Sequence, residues 1–249
     1  MILCRTAGVI TLALAAASLT ACQTTQDTSA ELAKQAKSVA KESGVTIGRE
    51  NSSIKVTSSA VLHDANGTAA VVLLRNAGGA TQLKVPIGIA LSDAKGARLY
   101  SNDIPGLDTS LTSIAAVGPR ERTFWVNNQI QAPATPRRAS AKVGAAKGTA
   151  TVALPRMDLT RIVLEHDTDG LFARGIVTNR SKLAQIRLVI ACISRRGDKV
   201  LAAGRAIIDR LAPAPTPKPI SFRVYFIGNP KGGRLSCAAP PTVLPGGSS

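Results

Sequence analysis

The chain has 249 residues, a formal net charge of +16 and 3% aromatic residues. One Trp, two Tyr and four Phe offer few ring faces on which single-stranded nucleic acids or sugars could stack, so a stacking site for either is disfavoured. The basic excess instead favours anionic partners and faster encounter with them.

The N-terminus predicts export. Residues 1–5 carry one positive charge, and residues 7–19 (AGVITLALAAASL) form an apolar run shorter than the roughly 20 residues that span a bilayer. This pattern is typical of a secretory signal peptide. The following LTAC, which ends at Cys22, resembles the lipobox of bacterial lipoproteins. The resemblance implies a signal peptide over 1–21 and a diacylglycerol thioether on Cys22; an ordinary signal peptide with a free Cys22 is the alternative.

Lipidation at Cys22 would anchor the protein to a membrane, outside the cytoplasm. Two or three acyl chains hold a protein stably where one chain holds it marginally, and the sequence leaves the number of chains open. Residue 23 is Gln rather than Asp, which indicates the outer membrane if the cell has two membranes.

Positive charge is concentrated late in the chain. Residues 131–155 contain four basic and no acidic residues, and residues 156–240 contain fifteen basic and six acidic residues. In an exported protein this excess favours an anionic lipid or envelope polymer, and makes cellular nucleic acid an unlikely partner. A basic surface that serves only solubility is the alternative. The candidate contacts with an anion are Arg137, Arg138, Lys142, Lys147, Arg195 and Arg196.

Two cysteines remain after the signal peptide and the lipid site. Cys192 and Cys237 form an even pair in an oxidising compartment, which predicts a disulfide. Two buried free thiols are the alternative. The C-x-x-C spacing of redox enzymes is absent.

The chain also predicts an internal duplication. With Gly67 placed over Gly170, AVLHDANGTAAVVLLRN lies over VLEHDTDGLFARGIVTN, and VPIGIALSDAKGARLY later meets IRLVIACISRRGDKVL. Apolar residues alternate along these segments and Gly, Asn and Asp separate them, as in antiparallel strands. We therefore predict an all-β protein with two tandem antiparallel β-sandwiches of immunoglobulin-like type, over 54–130 and 156–240.

The other segments are predicted to connect or to tether. Residues 22–53 form a lipidated tether, with a short helix indicated by the capping box of Thr28 and Glu31 and by Gly44. Residues 131–155, rich in Ala, Pro and Gly, are predicted to be an interdomain linker. Residues 241–249 are predicted to be a disordered tail.

Both histidines lie in one repeated pattern, HDANG at 63–67 and HDTDG at 166–170. Asn-Gly and Asp-Gly between strand-like runs are hairpin signals, because these residues tolerate positive φ. A zinc site needs three or four ligands, which neither copy supplies. We predict turns rather than a metal or catalytic site, and no cofactor-binding residues.

The second unit resembles the FxLYD domain, a small immunoglobulin-like module of bacterial envelope lipoproteins. The resemblance rests on GIVTNRS (175–181), IRLVIACISRRGDKVLAAGRAIIDRLAPAP (186–215) and FRVYF (222–226), while the Phe-x-Leu-Tyr-Asp string itself is absent. It implies a binding or spacer domain without catalytic residues.

These observations predict a non-catalytic envelope lipoprotein that presents a basic face to an anionic component. The alternative is an assembly subunit of an envelope complex that docks on a protein partner through sandwich edges. A hydrolase is a remote third hypothesis, since the G-x-S-x-G, H-E-x-x-H and phosphate-loop motifs are absent.

Overall fold

The computed structural model describes residues 44–215 and 218–245. The predicted signal peptide, Cys22 and all but the last residue of the predicted tether helix lie outside these residues. The all-β prediction is confirmed: the described chain contains strands and one short 3-10 helix, and every strand pair is antiparallel.

The N-terminal half (residues 44–150) contains eight strands and the 3-10 helix in two sheets. The strands are β1 Ile54–Asp64, β2 Gly67–Asn76, β3 Thr81–Ser92, β4 Arg98–Ser101, β5 Ser113–Val117, β6 Arg122–Ile130, β7 Arg138–Val143 and β8 Gly148–Ala150, with the 3-10 helix at Thr109–Leu111. In sheet I, β3 is flanked by β4 and β5 on one side and by β7 and β8 on the other. Sheet II has the order β1-β2-β6.

The C-terminal half (residues 157–245) contains seven strands in two further sheets. The strands are β9 Met157–Asp167, β10 Gly170–Asn179, β11 Gln185–Arg196, β12 Lys199–Leu211, β13 Ile220–Tyr225, β14 Ile227–Gly228 and β15 Arg234–Ala238. Sheet III has the order β14-β12-β11-β15, and sheet IV the order β13-β10-β9.

Each half buries its own apolar core between its two sheets. In the N-terminal half, Val85, Ile87 and Leu91 of β3 pack against Val72 of β2 and Trp125 of β6. In the C-terminal half, the second core contains Leu188, Ile190, Cys192, Val177, Phe222 and Val224. Alternate residues along each central strand point into these cores, as the period of two predicts.

A third apolar core joins the two halves. Val71 and Phe124, on the outer face of sheet II, pack with Ile193, Val200 and Ala203 of sheet III. The sheets therefore stack in the order I, II, III, IV, and both inner sheets are covered on both faces.

Two predicted connectors form ordered structure instead. Residues 131–155 were predicted to be a linker, but β7 and β8 lie within them and pair with β3. Ala139 and Ala141 of β7 pack on the first core, and this burial holds the segment in the sandwich. Residues 241–249 were predicted to be a disordered tail, but the backbone N–H groups of Thr242 and Val243 donate to the buried side chain of Gln185. These two residues are therefore held in place, and residues 246–249 lie outside the described residues.

The predicted disulfide joins Cys192 of β11 to Cys237 of β15, directly across the ladder between the two strands. At the position of Cys192 the N-terminal half has Leu91, which pairs with Ala139 of β7. Strand β7 therefore takes the place of β15 in the first copy, so the duplication extends into the segment predicted to be a linker.

Candidate functional site

Both repeated His-Asp segments form hairpin turns. The side chains of Asp64 and Asp167 accept hydrogen bonds from the backbone N–H groups two residues further on, and Nδ1 of His63 lies 2.8 Å from Oγ1 of Thr68. Positive φ falls on Gly67 and Gly170, at 129° and 127°, and not on the residues before them. Among the described residues no three His, Cys, Asp or Glu side chains are placed to hold a metal ion.

The six candidate anionic contacts fall into two groups on different sheets. Arg137, Arg138, Lys142 and Lys147 are exposed along β7 and its flanks, at the edge of sheet I. Arg195 and Arg196 lie in the β11–β12 hairpin of sheet III. The structure therefore offers two separate basic surfaces rather than one.

The first group lies on a face of sheet I whose centre is made of small residues. Val85 to Leu91 point inward at alternate positions, so Gly88, Ala90 and Ser92 point outward. Strand register places Lys142 across from Gly88, and both Arg138 and Arg98 across from Ser92 on opposite sides. We call this surface, with Arg98, Arg138 and Lys142 around the small residues, the basic face. Arg98 was not among the sequence-predicted contacts, because only the β3–β4 register places it across Ser92 from Arg138.

The chain leading out of the tether docks on the same sheet. The side chain of Ile47 lies over Gly88, Glu50 forms a bridge with Gly144, and the Asn51 side chain donates to the Gly144 carbonyl. Glu50 and Lys142 form an ion pair at 3.8 Å, with both side chains 70% exposed. Such exposed pairs contribute little, so Lys142 remains available to another anion.

The second group takes part in local contacts. Arg195 pairs with Asp198 at 3.8 Å, and its Nη2 donates to the carbonyl of Gly197. Nε of Arg196 donates to the carbonyl of Gly232. The Nε of Arg195 is buried, and no described residue forms a hydrogen bond with it.

Most acidic side chains of the C-terminal half are already paired. Hydrogen bonds from Arg180 and Arg156 hold the pKa of Asp158 below its usual value. A hydrogen bond from the Tyr225 hydroxyl lowers the pKa of Asp167 in the same way. Arg174 pairs with Glu165. The strands of sheet IV contain three acidic and three basic residues, so this sheet is closer to charge balance than the composition of residues 156–240 indicates.

A polar junction beside the third core also links the halves. Asp108, which caps the 3-10 helix, accepts from Arg187 of β11. Nη2 of Arg205 donates to Oγ of Ser110 at 2.8 Å. Arg205 is 7% exposed, and burial lowers its pKa. Sequence reasoning could not find this junction, because it depends on how the halves pack.

No protein-family model matches the chain, and no curated protein matches it. Within residues 44–215 and 218–245, no helix is long and apolar enough to cross a membrane.

Proposed function

We propose that the protein is an envelope lipoprotein, anchored through Cys22, that binds an anionic envelope component through the basic face without catalysing a reaction. The observation that carries this proposal is the register of sheet I, which sets Arg98, Arg138 and Lys142 around a surface of small side chains. Ile47 covers Gly88, but Ala90 and Ser92 beside it let an extended anionic surface approach closely, and the long basic side chains reach it from the rim.

The position of the tether supports the same proposal. The chain reaches the body at Ile47, which lies on the basic face. The residues between Cys22 and Gly44 extend to at most about 75 Å, so the basic face can reach the membrane surface while the anchor stays inserted. Each Lys or Arg near an anionic membrane contributes about 1 kcal/mol within a Debye length of about 8 Å.

Binding to vesicles and to cell-wall sacculi tests the proposal. The full chain with Cys22→Ser, which removes the lipid site, is sedimented with anionic vesicles, neutral vesicles or sacculi at low and high salt. We expect salt-sensitive binding to anionic vesicles or sacculi and none to neutral vesicles. The triple variant Arg98→Gln, Arg138→Gln and Lys142→Gln is expected to weaken this binding by more than about tenfold.

A matched control separates the basic face from net charge. Lys182→Gln, Arg210→Gln and Lys231→Gln remove the same charge from exposed positions of the C-terminal half. If both triple variants weaken binding equally, the basic face has no specific role. If the parent protein binds neither material at low salt, the proposal is wrong.

A further inference from the structure

A cleft of about 980 Å³ opens between the two halves, at the edge of sheet III. Sheet II forms one wall, sheet IV the opposite wall, and strand β15 the floor. The lining residues that matter here are Leu73, Phe124, Met157, Leu159, Cys237 and Ala238. Ligand sites of this size are common where two domains meet.

Strand β15 presents a free backbone edge to this cleft. Within residues 44–215 and 218–245, it is the last strand of sheet III and pairs only with β11. The Cα atoms of Cys192 and Cys237 are 4.1 Å apart, close to the spacing of a non-hydrogen-bonded antiparallel pair. The N–H and C=O of Cys237 therefore point away from β11, and by alternation so do those of Leu235.

The cleft has room for one additional β-strand beside β15. A segment added beside β15 would continue sheet III, with Leu73 and Phe124 of sheet II on one face and Met157 and Leu159 of sheet IV on the other. Stacked sheets lie about 10 Å apart, so the space between sheets II and IV has room for the sheet they enclose. An extended peptide is the ligand that fits a free strand edge between two walls.

Positive charge at the Arg195 end of the cleft favours a peptide with acidic side chains. Arg195 lines the cleft and lies directly across the ladder from Arg234, and like charges in this position are unfavourable. Arg122 and Glu121 line the same cleft, and the Glu121 carboxylate already accepts from the backbone N–H of Gly118. Asp198, the partner of Arg195, also lines the cleft but is fully exposed. The buried Nε of Arg195 has no acceptor among the described residues, which is costly unless a carboxylate supplies one.

We propose that this cleft binds an extended acidic segment of a partner protein by strand addition to β15. The main chain of the segment bonds to Leu235 and Cys237, and an acidic side chain contacts Arg195 and Arg234. This site is separate from the basic face of sheet I, so either proposal can fail alone.

The probe is a capped peptide of about seven residues, the length of an ordinary strand, with alternating Val and Glu. Binding to the full chain with Cys22→Ser is followed through the amide resonances of Cys237 and Ala238. Two isomers carry N-methyl groups on the Val amides or on the Glu amides, and therefore block opposite edges of the peptide. We expect the unmethylated peptide to bind, one isomer to lose about tenfold or more in affinity, and the other to bind normally.

The role of charge is tested by changing the charge of the peptide and, separately, the charge of the protein. A peptide with Lys in place of Glu is expected not to bind, and Arg195→Glu with Arg234→Glu is expected to weaken binding of the Glu peptide by about tenfold or more. Lys199→Glu with Arg210→Glu changes the same charge at exposed positions of β12 outside the cleft lining, and is expected to leave affinity within about twofold. The absence of saturable binding would overturn the proposal, as would equal affinity of the two methylated isomers or equal binding of the Glu and Lys peptides.

Discussion

Asp64 and Asp167, which occupy the same position in the two copies of the repeat, hold the same short segment of the C-terminal half. Oδ2 of Asp64 accepts from the backbone N–H of Gly228 at 2.7 Å, and Oδ2 of Asp167 accepts from the Tyr225 hydroxyl at 2.7 Å. One aspartate therefore acts within its own half and the other between the halves. The repeated pattern has a structural use in both copies.

Asp64→Ala is expected to lower the free energy of unfolding by about 1–3 kcal/mol, because the backbone N–H groups of Gly228 and Asn66 lose their acceptor. Urea denaturation measures the change. Asn66→Ala, in the same turn but exposed, is the control and is expected to change stability by less than about 0.5 kcal/mol. Equal effects of the two substitutions would show that the two hydrogen bonds of the Asp64 carboxylate are unimportant for stability.

Asp108 makes stability depend on pH in the acidic range. Burial raises the pKa of this carboxyl, but hydrogen bonds from Ser110 and Arg187 outweigh burial, so the pKa lies below its ordinary value of 3.8. Because the folded pKa is depressed, the stabilisation is complete above 3.8 and disappears as the pH falls through the folded pKa. The stability difference between the parent and Asp108→Asn should therefore be constant at neutral pH and shrink below 3.8. Denaturation series at several pH values test this, and a difference that grows on acidification would contradict it.

Val71 and Arg174 are equivalent positions with opposite environments. Val71 is fully buried in the core between the halves, whereas Arg174 is partly exposed and paired with Glu165. Val71→Arg should lower the free energy of unfolding by more than about 3 kcal/mol, because it places an unpaired charge in an apolar interface. The reverse change, Arg174→Val, is the control and should cost less than about 1 kcal/mol. Similar losses from the two variants in chemical denaturation would mean that the third core contributes little.

Removal of the disulfide should also be costly. The bond closes a separation of 45 residues, for which chain entropy predicts about 4 kcal/mol of stabilisation. In urea denaturation, the free energy of unfolding of the double variant Cys192→Ala with Cys237→Ala should be lower than that of the parent by about this amount. Reduction of the parent should lower its free energy of unfolding by a similar amount. If the double variant is as stable as the oxidised parent, the bond does not constrain the unfolded chain as expected.

The strands could be predicted because their cores consist of large apolar residues at alternate positions, such as Val85, Ile87 and Ile89 of β3. Strand β7 escaped prediction although it has the same period. Its inward residues include Ala139 and Ala141, whose small side chains give a weak apolar signal. Pro and Gly on either side strengthened the appearance of a linker.

One sequence feature of β2 indicates that the two halves pack against each other. Residues 69–74 of β2 are a continuous apolar run rather than an alternating one, as expected for a strand that is buried on both faces. The equivalent run of β10 is interrupted by Arg174. The cleft beside β15 and the junction at Arg205 had no such signal, because they arise from the relative placement of two sheets that are far apart in the chain.

The four-layer order restricts how the two copies can diverge in sequence. Within the part of the chain that the structure describes, no second sheet covers the outer faces of sheets I and IV, so side chains there can be replaced without disturbing a core. Sheets II and III have no such face, so a larger side chain at Val71 must be matched by a smaller one near Ile193 or Ala203. New binding specificities can therefore arise on the outer sheets by single substitutions, whereas the inner sheets change only by compensating pairs.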